Sequence, residues 1–98
     1  MAEIKWTKEA VVWLECIYDY IAKDNKKAAA KVIDSIYFKV QTLKRFPQQG
    51  YRYFDHPGHE IRILLWAHYR IAYLIKDNSD IDILGIFHGA LDITQYLN

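Results

Sequence analysis

The chain has a single cysteine, Cys16, among 98 residues. An internal disulfide is therefore excluded, and a reducing cytoplasm is the expected setting. No apolar run approaches the roughly 20 residues that span a bilayer, so no membrane partner is expected. The opening MAEIKWTKEA lacks the basic start and apolar block of a signal peptide. Proline and glycine are scarce, with two and four residues, so each marks a specific turn or break. His56 and His59 flank Pro57-Gly58 beside Asp55, but no second ligand pair accompanies them. Neither a metal site nor a cofactor is expected.

What is present points to a folded domain. Hydrophobic residues make up 52% of the chain, enough for one small core at this length, so residues 1–98 read as one domain. Eight of the aromatics are tyrosines, which suit interfaces because their bodies are apolar and their tips wet. The net charge of +1 hides an asymmetry. From Lys39 to Arg70 there are six Lys/Arg against two Asp/Glu. That basic middle reads either as a solvated surface or as a local patch for an anionic partner.

Glu3 to Trp6 alternates and reads as an edge strand, and Thr7 reads as the N-cap of a helix with Glu9 in its first turn. Ala10, Leu14, Ile17, Tyr18 and Ile21 form its apolar stripe. Trp13, Cys16 and Tyr20 form a second stripe, either core margin or docking surface. Asn25 can cap a second helix, whose Ala29, Val32, Ile33, Ile36, Val40 and Leu43 keep the helical period until Phe46-Pro47 ends it. So short a link folds the two helices back as an antiparallel hairpin.

Beyond Gly50 the pattern changes to period two. Tyr51 to Phe54 reads as a short strand, Pro57-Gly58 as a turn, and Glu60 to His88 as a meander. A three-residue apex within Trp66–Tyr69 would place Ile61, Ile63 and Leu65 on one apolar face with Tyr69, Ile71, Tyr73 and Ile75. Arg62 and Arg70 would then share the open face. Gly85 hints at a bulge or a close backbone approach. Strand, two helices, then strands is the α+β class: a helical hairpin on one face of a small antiparallel sheet.

Several segments, in this order, resemble the RelE/ParE toxins of bacterial type II toxin–antitoxin pairs. Leu14-Glu15-Cys16-Ile17-Tyr18-Asp19-Tyr20-Ile21-Ala22 is similar to that family's first helix. Leu43-Lys44-Arg45-Phe46-Pro47-Gln48-Gln49-Gly50 resembles the exit of its second helix. Ile61-Arg62 with Tyr69-Arg70-Ile71-Ala72-Tyr73 resembles its central strands, and Phe87-His88-Gly89 its last. The resemblance implies a growth-inhibiting toxin neutralised by a cognate antitoxin, as a homodimer or a toxin–antitoxin hetero-oligomer. RelE-like members cleave mRNA on the ribosome; ParE-like members lack most of the nuclease residues and poison DNA gyrase.

On the nuclease branch the chain would be an enzyme, with Arg62, Arg70, His88 and Tyr96 as catalytic residues. Histidine can act as acid or base near neutrality, and arginine clamps phosphate. Read from the residues alone, Arg62 and Arg70 are equally explained by solubilising a sheet face, and His88 by a structural strand end. Where many members carry an arginine after the position of His88, this chain has Gly89, Ala90 and Leu91. That departure favours gyrase as the target, and also fits an inactive toxin fold that only binds antitoxin. The antitoxin is expected on Arg62, Leu64, Arg70, Leu74 and Leu84.

Overall fold

The computed structural model describes residues 3–56 and 59–89. β1 (Ile4–Trp6) leads into α1 (Lys8–Ala22), followed by α2 (Lys26–Gln41) and a short 3-10 turn (Thr42–Lys44). β2 (Tyr51–His56), β3 (His59–Trp66), β4 (Tyr69–Ile75) and β5 (Ile81–His88) complete the order. The strands form one sheet in the order β1-β5-β4-β3-β2. β1 runs parallel to β5 at one edge, while the other pairs are antiparallel.

Both helix starts follow the sequence reading. The Ala10 N–H donates to Thr7 Oγ1 at 3.2 Å, and the Ala28 N–H donates to Asn25 Oδ1 at 3.1 Å. Each cap satisfies an orphan first-turn donor. The Thr7 hydroxyl also donates to the Ile83 carbonyl at 2.7 Å, which anchors the start of α1 to β5.

The main core lies between the helices and one sheet face. Ala10, Ile36, Val40 and Leu43 meet Leu64, Ile71, Tyr73, Ile81, Ile83 and Ile86. Each buried isoleucine or leucine there stabilises the fold by about 2 kcal/mol. The predicted α1 stripe holds at Ala10, Leu14 and Ile17, but Tyr18 is exposed. In the second stripe Trp13 is half-buried, whereas Cys16 and Tyr20 are exposed.

The hairpin apex corrects the sequence reading. Trp66 pairs with Tyr69, so the loop is the two residues Ala67-His68, and Ala67 has φ +52°. Residues directly across the pair share a face, so Arg62 lies with Tyr73 and Leu64 with Ile71. Arg70 lies with Leu65 and Phe87 on the opposite face. The expectation of one wholly apolar face failed because both faces carry apolar clusters. Ile63, Ala72 and Phe87 form the second one, packed by Trp13, Tyr53 and Leu84.

Gly85 marks the expected bulge, and what crowds it is a side chain and not another backbone. The β4–β5 register shifts there, with Ala72 opposite Gly85 and Tyr73 opposite Ile83. The Phe87 ring lies 2.5 Å from where a Cβ on Gly85 would sit. The turn predicted at Pro57-Gly58 lies outside the described residues.

Candidate functional site

The sheet sets two different polar sites at its two ends. The first is a clamp on the segment leaving the 3-10 turn. The Arg62 guanidinium donates to Glu60 Oε2 at 2.5 Å, to the Gly50 carbonyl at 2.6 Å and to the Gln48 carbonyl at 3.3 Å. The Tyr73 hydroxyl donates to the Pro47 carbonyl at 2.7 Å and accepts from the Gly50 N–H at 2.9 Å. Gly50 itself is buried against Ile63, whose carbonyl oxygen lies 2.5 Å from a would-be Cβ. Only a glycine lets the backbones approach this closely.

Burial raises the pKa of Tyr73 above the ordinary tyrosine value, partly opposed by the Gly50 N–H and the nearby Arg62 charge. The hydroxyl therefore stays protonated and keeps its bond to Pro47. Arg62, expected as a phosphate clamp, instead holds backbone carbonyls within the scaffold.

The second site is a hollow of about 440 Å³ at the β3–β4 apex, lined by Leu65, Ala67, His68, Tyr69, Arg70, His88 and Gly89. Arg70 donates to the Gly89 carbonyl at 3.0 Å, and the Gly89 N–H donates to the His68 carbonyl at 2.7 Å. The His68 and His88 rings stack with centroids 6.4 Å apart, and Tyr69 meets His88 edge-on at 6.1 Å. Arg70 and His88 thus line one hollow, and Arg62 is not with them. Tyr96 and the positions 90–91 lie outside the described residues.

The expected antitoxin contacts also separate. Leu64 lies in the core beneath the helices, only 3% exposed, and is inaccessible to a partner. Leu74 and Leu84 are half-buried, and Leu84 packs on the second cluster. His68 and Tyr69 were missed by sequence reasoning. The signal was the proximity of a histidine-tyrosine pair to the apex, which becomes a site only once the two-residue loop is known. Among the described residues no three His, Cys, Asp or Glu side chains group as a metal site.

Comparison with known proteins gives the family. Residues 4–93 match the family described as "ParE toxin of type II toxin-antitoxin system, parDE". The chain belongs to the ParE toxin family. It is 34% identical over 98 residues to the Sinorhizobium fredii protein named "Putative toxin Y4kP", covering 96% of this chain and 95% of that one. A structure of the chromosomal ParDE system from P. aeruginosa superposes with a TM-score of 0.70 at 29% identity, over 90% of this chain and 96% of that one. The RelBE2 toxin–antitoxin complex of Mycobacterium tuberculosis shares the fold, with a TM-score of 0.57 at 22% identity over 89% and 96% of the two chains. The ParE match fits an α+β toxin of a type II toxin–antitoxin pair, and no described helix is long and apolar enough to cross a membrane.

Proposed function

We propose that this toxin arrests growth by a protein–protein contact with DNA gyrase and performs no chemistry of its own. The observation that carries this reading is the separation of the two arginines. Cleaving RNA through its 2′-hydroxyl needs a base, a proton donor and cations converging on one phosphate. Here Arg62 is engaged by Glu60 and two carbonyls on the helix-covered face, while Arg70 belongs to the opposite face. Among the described residues the apex hollow has one arginine and two histidines, a thin cationic set for holding mRNA against ribosomal RNA.

The antitoxin, on this reading, docks on the second sheet face, with acidic side chains toward Arg70 and apolar ones at Leu74 and Leu84. Mapping mRNA 5′ ends minutes after tightly controlled induction tests the proposal. Intact messages in arrested cells are the expected result. Cuts phased to codons would overturn it and place Arg70 and His88 at a nuclease centre.

A further inference from the structure

We infer that two copies of this chain pair through the outer flank of α1, packed antiparallel about a two-fold axis at Cys16. The contact requires neither gyrase nor antitoxin.

Val12, Cys16 and Tyr20 follow one another at four-residue spacing along one side of α1. All three are exposed, Val12 by 53% and Tyr20 by 77%. The core already takes Ala10, Leu14 and Ile17, so this stripe does not anchor the helix. Beside it lies an apolar hollow of about 420 Å³, lined by Lys8, Glu9, Val12, Trp13 and Cys16. Its wall is fixed, because the Trp13 ring sits edge-on against Phe87 with centroids 4.8 Å apart.

The occupant follows from the symmetry of the stripe. Val12 and Tyr20 lie four residues either side of Cys16, and Glu9 and Lys23 lie seven. Those steps are about one and two helical turns, so all five residues share a face. Lys23 keeps a helical backbone at the C-cap, with φ −56° and ψ −35°. Glu9 and Lys23 are both exposed.

In an antiparallel pair centred on Cys16, Glu9 therefore faces Lys23 of the second copy, and the two-fold makes that ion pair twice. Lys8 comes level with Asp24 of the second copy. A parallel pair would instead set Glu9 against Glu9 and Lys23 against Lys23. Tyr20 of the second copy comes level with Val12 and fills the hollow. The most exposed aromatic of α1 and the hollow beside it thus become the two halves of one self-complementary contact. A single helix pair is a small interface, so a dissociation constant of about 10–100 µM is expected.

The test is sedimentation velocity of the purified full chain, free of antitoxin and reduced, from low micromolar to several hundred micromolar. A concentration-dependent monomer–dimer equilibrium is expected. Tyr20→Ala should weaken it at least about tenfold. Phe38→Ala removes a similarly exposed aromatic, at 68%, from α2 and should leave it unchanged. Glu9→Lys and Lys23→Glu should each weaken the dimer, and the two together should restore it. Both reversals oppose the dipole of α1, so restoration cannot come from a steadier helix. Circular dichroism of each variant reports folding separately. With helix axes about 8–10 Å apart, the two Cys16 thiols come within disulfide range. Diamide, which takes up the two thiol hydrogens as the S–S bond forms, should therefore trap a covalent dimer.

A chain that stays monomeric throughout would overturn the inference and leave the stripe to a different partner such as the antitoxin. A dimer indifferent to Tyr20→Ala and to charge reversal, or one that diamide does not trap, would overturn it by placing the contact elsewhere.

Discussion

Arg62 and Arg70 are the same residue on adjacent strands of one sheet, yet the fold uses them in opposite ways. Arg62 lies on the helix-covered face and ties Glu60 to the carbonyls of Gln48 and Gly50. Arg70 lies on the other face and closes the apex hollow through the Gly89 carbonyl. A two-residue loop creates this difference by setting Leu65, not Arg62, on the face of Arg70. An exposed-looking arginine in a period-two strand is therefore defined by its register, not by its type.

The comparison can be broken most severely at the clamp. Gly50→Ala forces a Cβ into the Ile63 carbonyl and should destabilise the protein by about 3 kcal/mol, read as a lower urea midpoint. Arg62→Ala leaves Glu60 and two carbonyls without their donor and should cost about 2–3 kcal/mol. Arg70→Ala, in contrast, should cost less than Arg62→Ala, since its hydrogen bond to the Gly89 carbonyl is exposed. Equal losses at the two arginines would erase the distinction.

Tyr73→Phe sharpens the same end at about 1–2 kcal/mol by orphaning the Pro47 carbonyl and the Gly50 N–H. It should also alter the alkaline limb. The pKa of Tyr73 is raised in the folded state, so its contribution is fully present below the unfolded tyrosine value of about 10. It is lost as pH rises through the higher folded value. Stability of the parent should therefore fall more steeply than that of Tyr73→Phe above pH of about 10. Parallel curves would show that the hydroxyl titrates normally. The smallest effect is expected at the apex, where Ala67→Gly relieves a positive φ and should stabilise by about 0.5–1 kcal/mol.

Much of this was legible in the sequence. Thr7 and Asn25 announced both helix starts, Gly85 announced the bulge, the order of elements gave the α+β class, and the resemblance of segments such as residues 43–50 and 69–73 pointed to the toxin family. The apex was not, because two- and three-residue loops preserve the same alternation along each strand and differ only in how the strands are matched. Choosing between them on the assumption of one apolar face failed once Ile63, Ala72 and Phe87 proved to form a second buried cluster. The role of Arg62 was hidden for a related reason. Its carbonyl partners lie 12 and 14 residues away, and nothing local marks them. Leu64 looked accessible until the same register turned it toward the helices.

The central claim is arrest of gyrase without nuclease chemistry, and a supercoiling assay with purified gyrase, relaxed plasmid and this toxin tests it most directly. Dose-dependent loss of supercoiling, unchanged in Arg70→Ala and His88→Ala, is the predicted result. Full gyrase activity at toxin concentrations well above that of the enzyme would contradict the account.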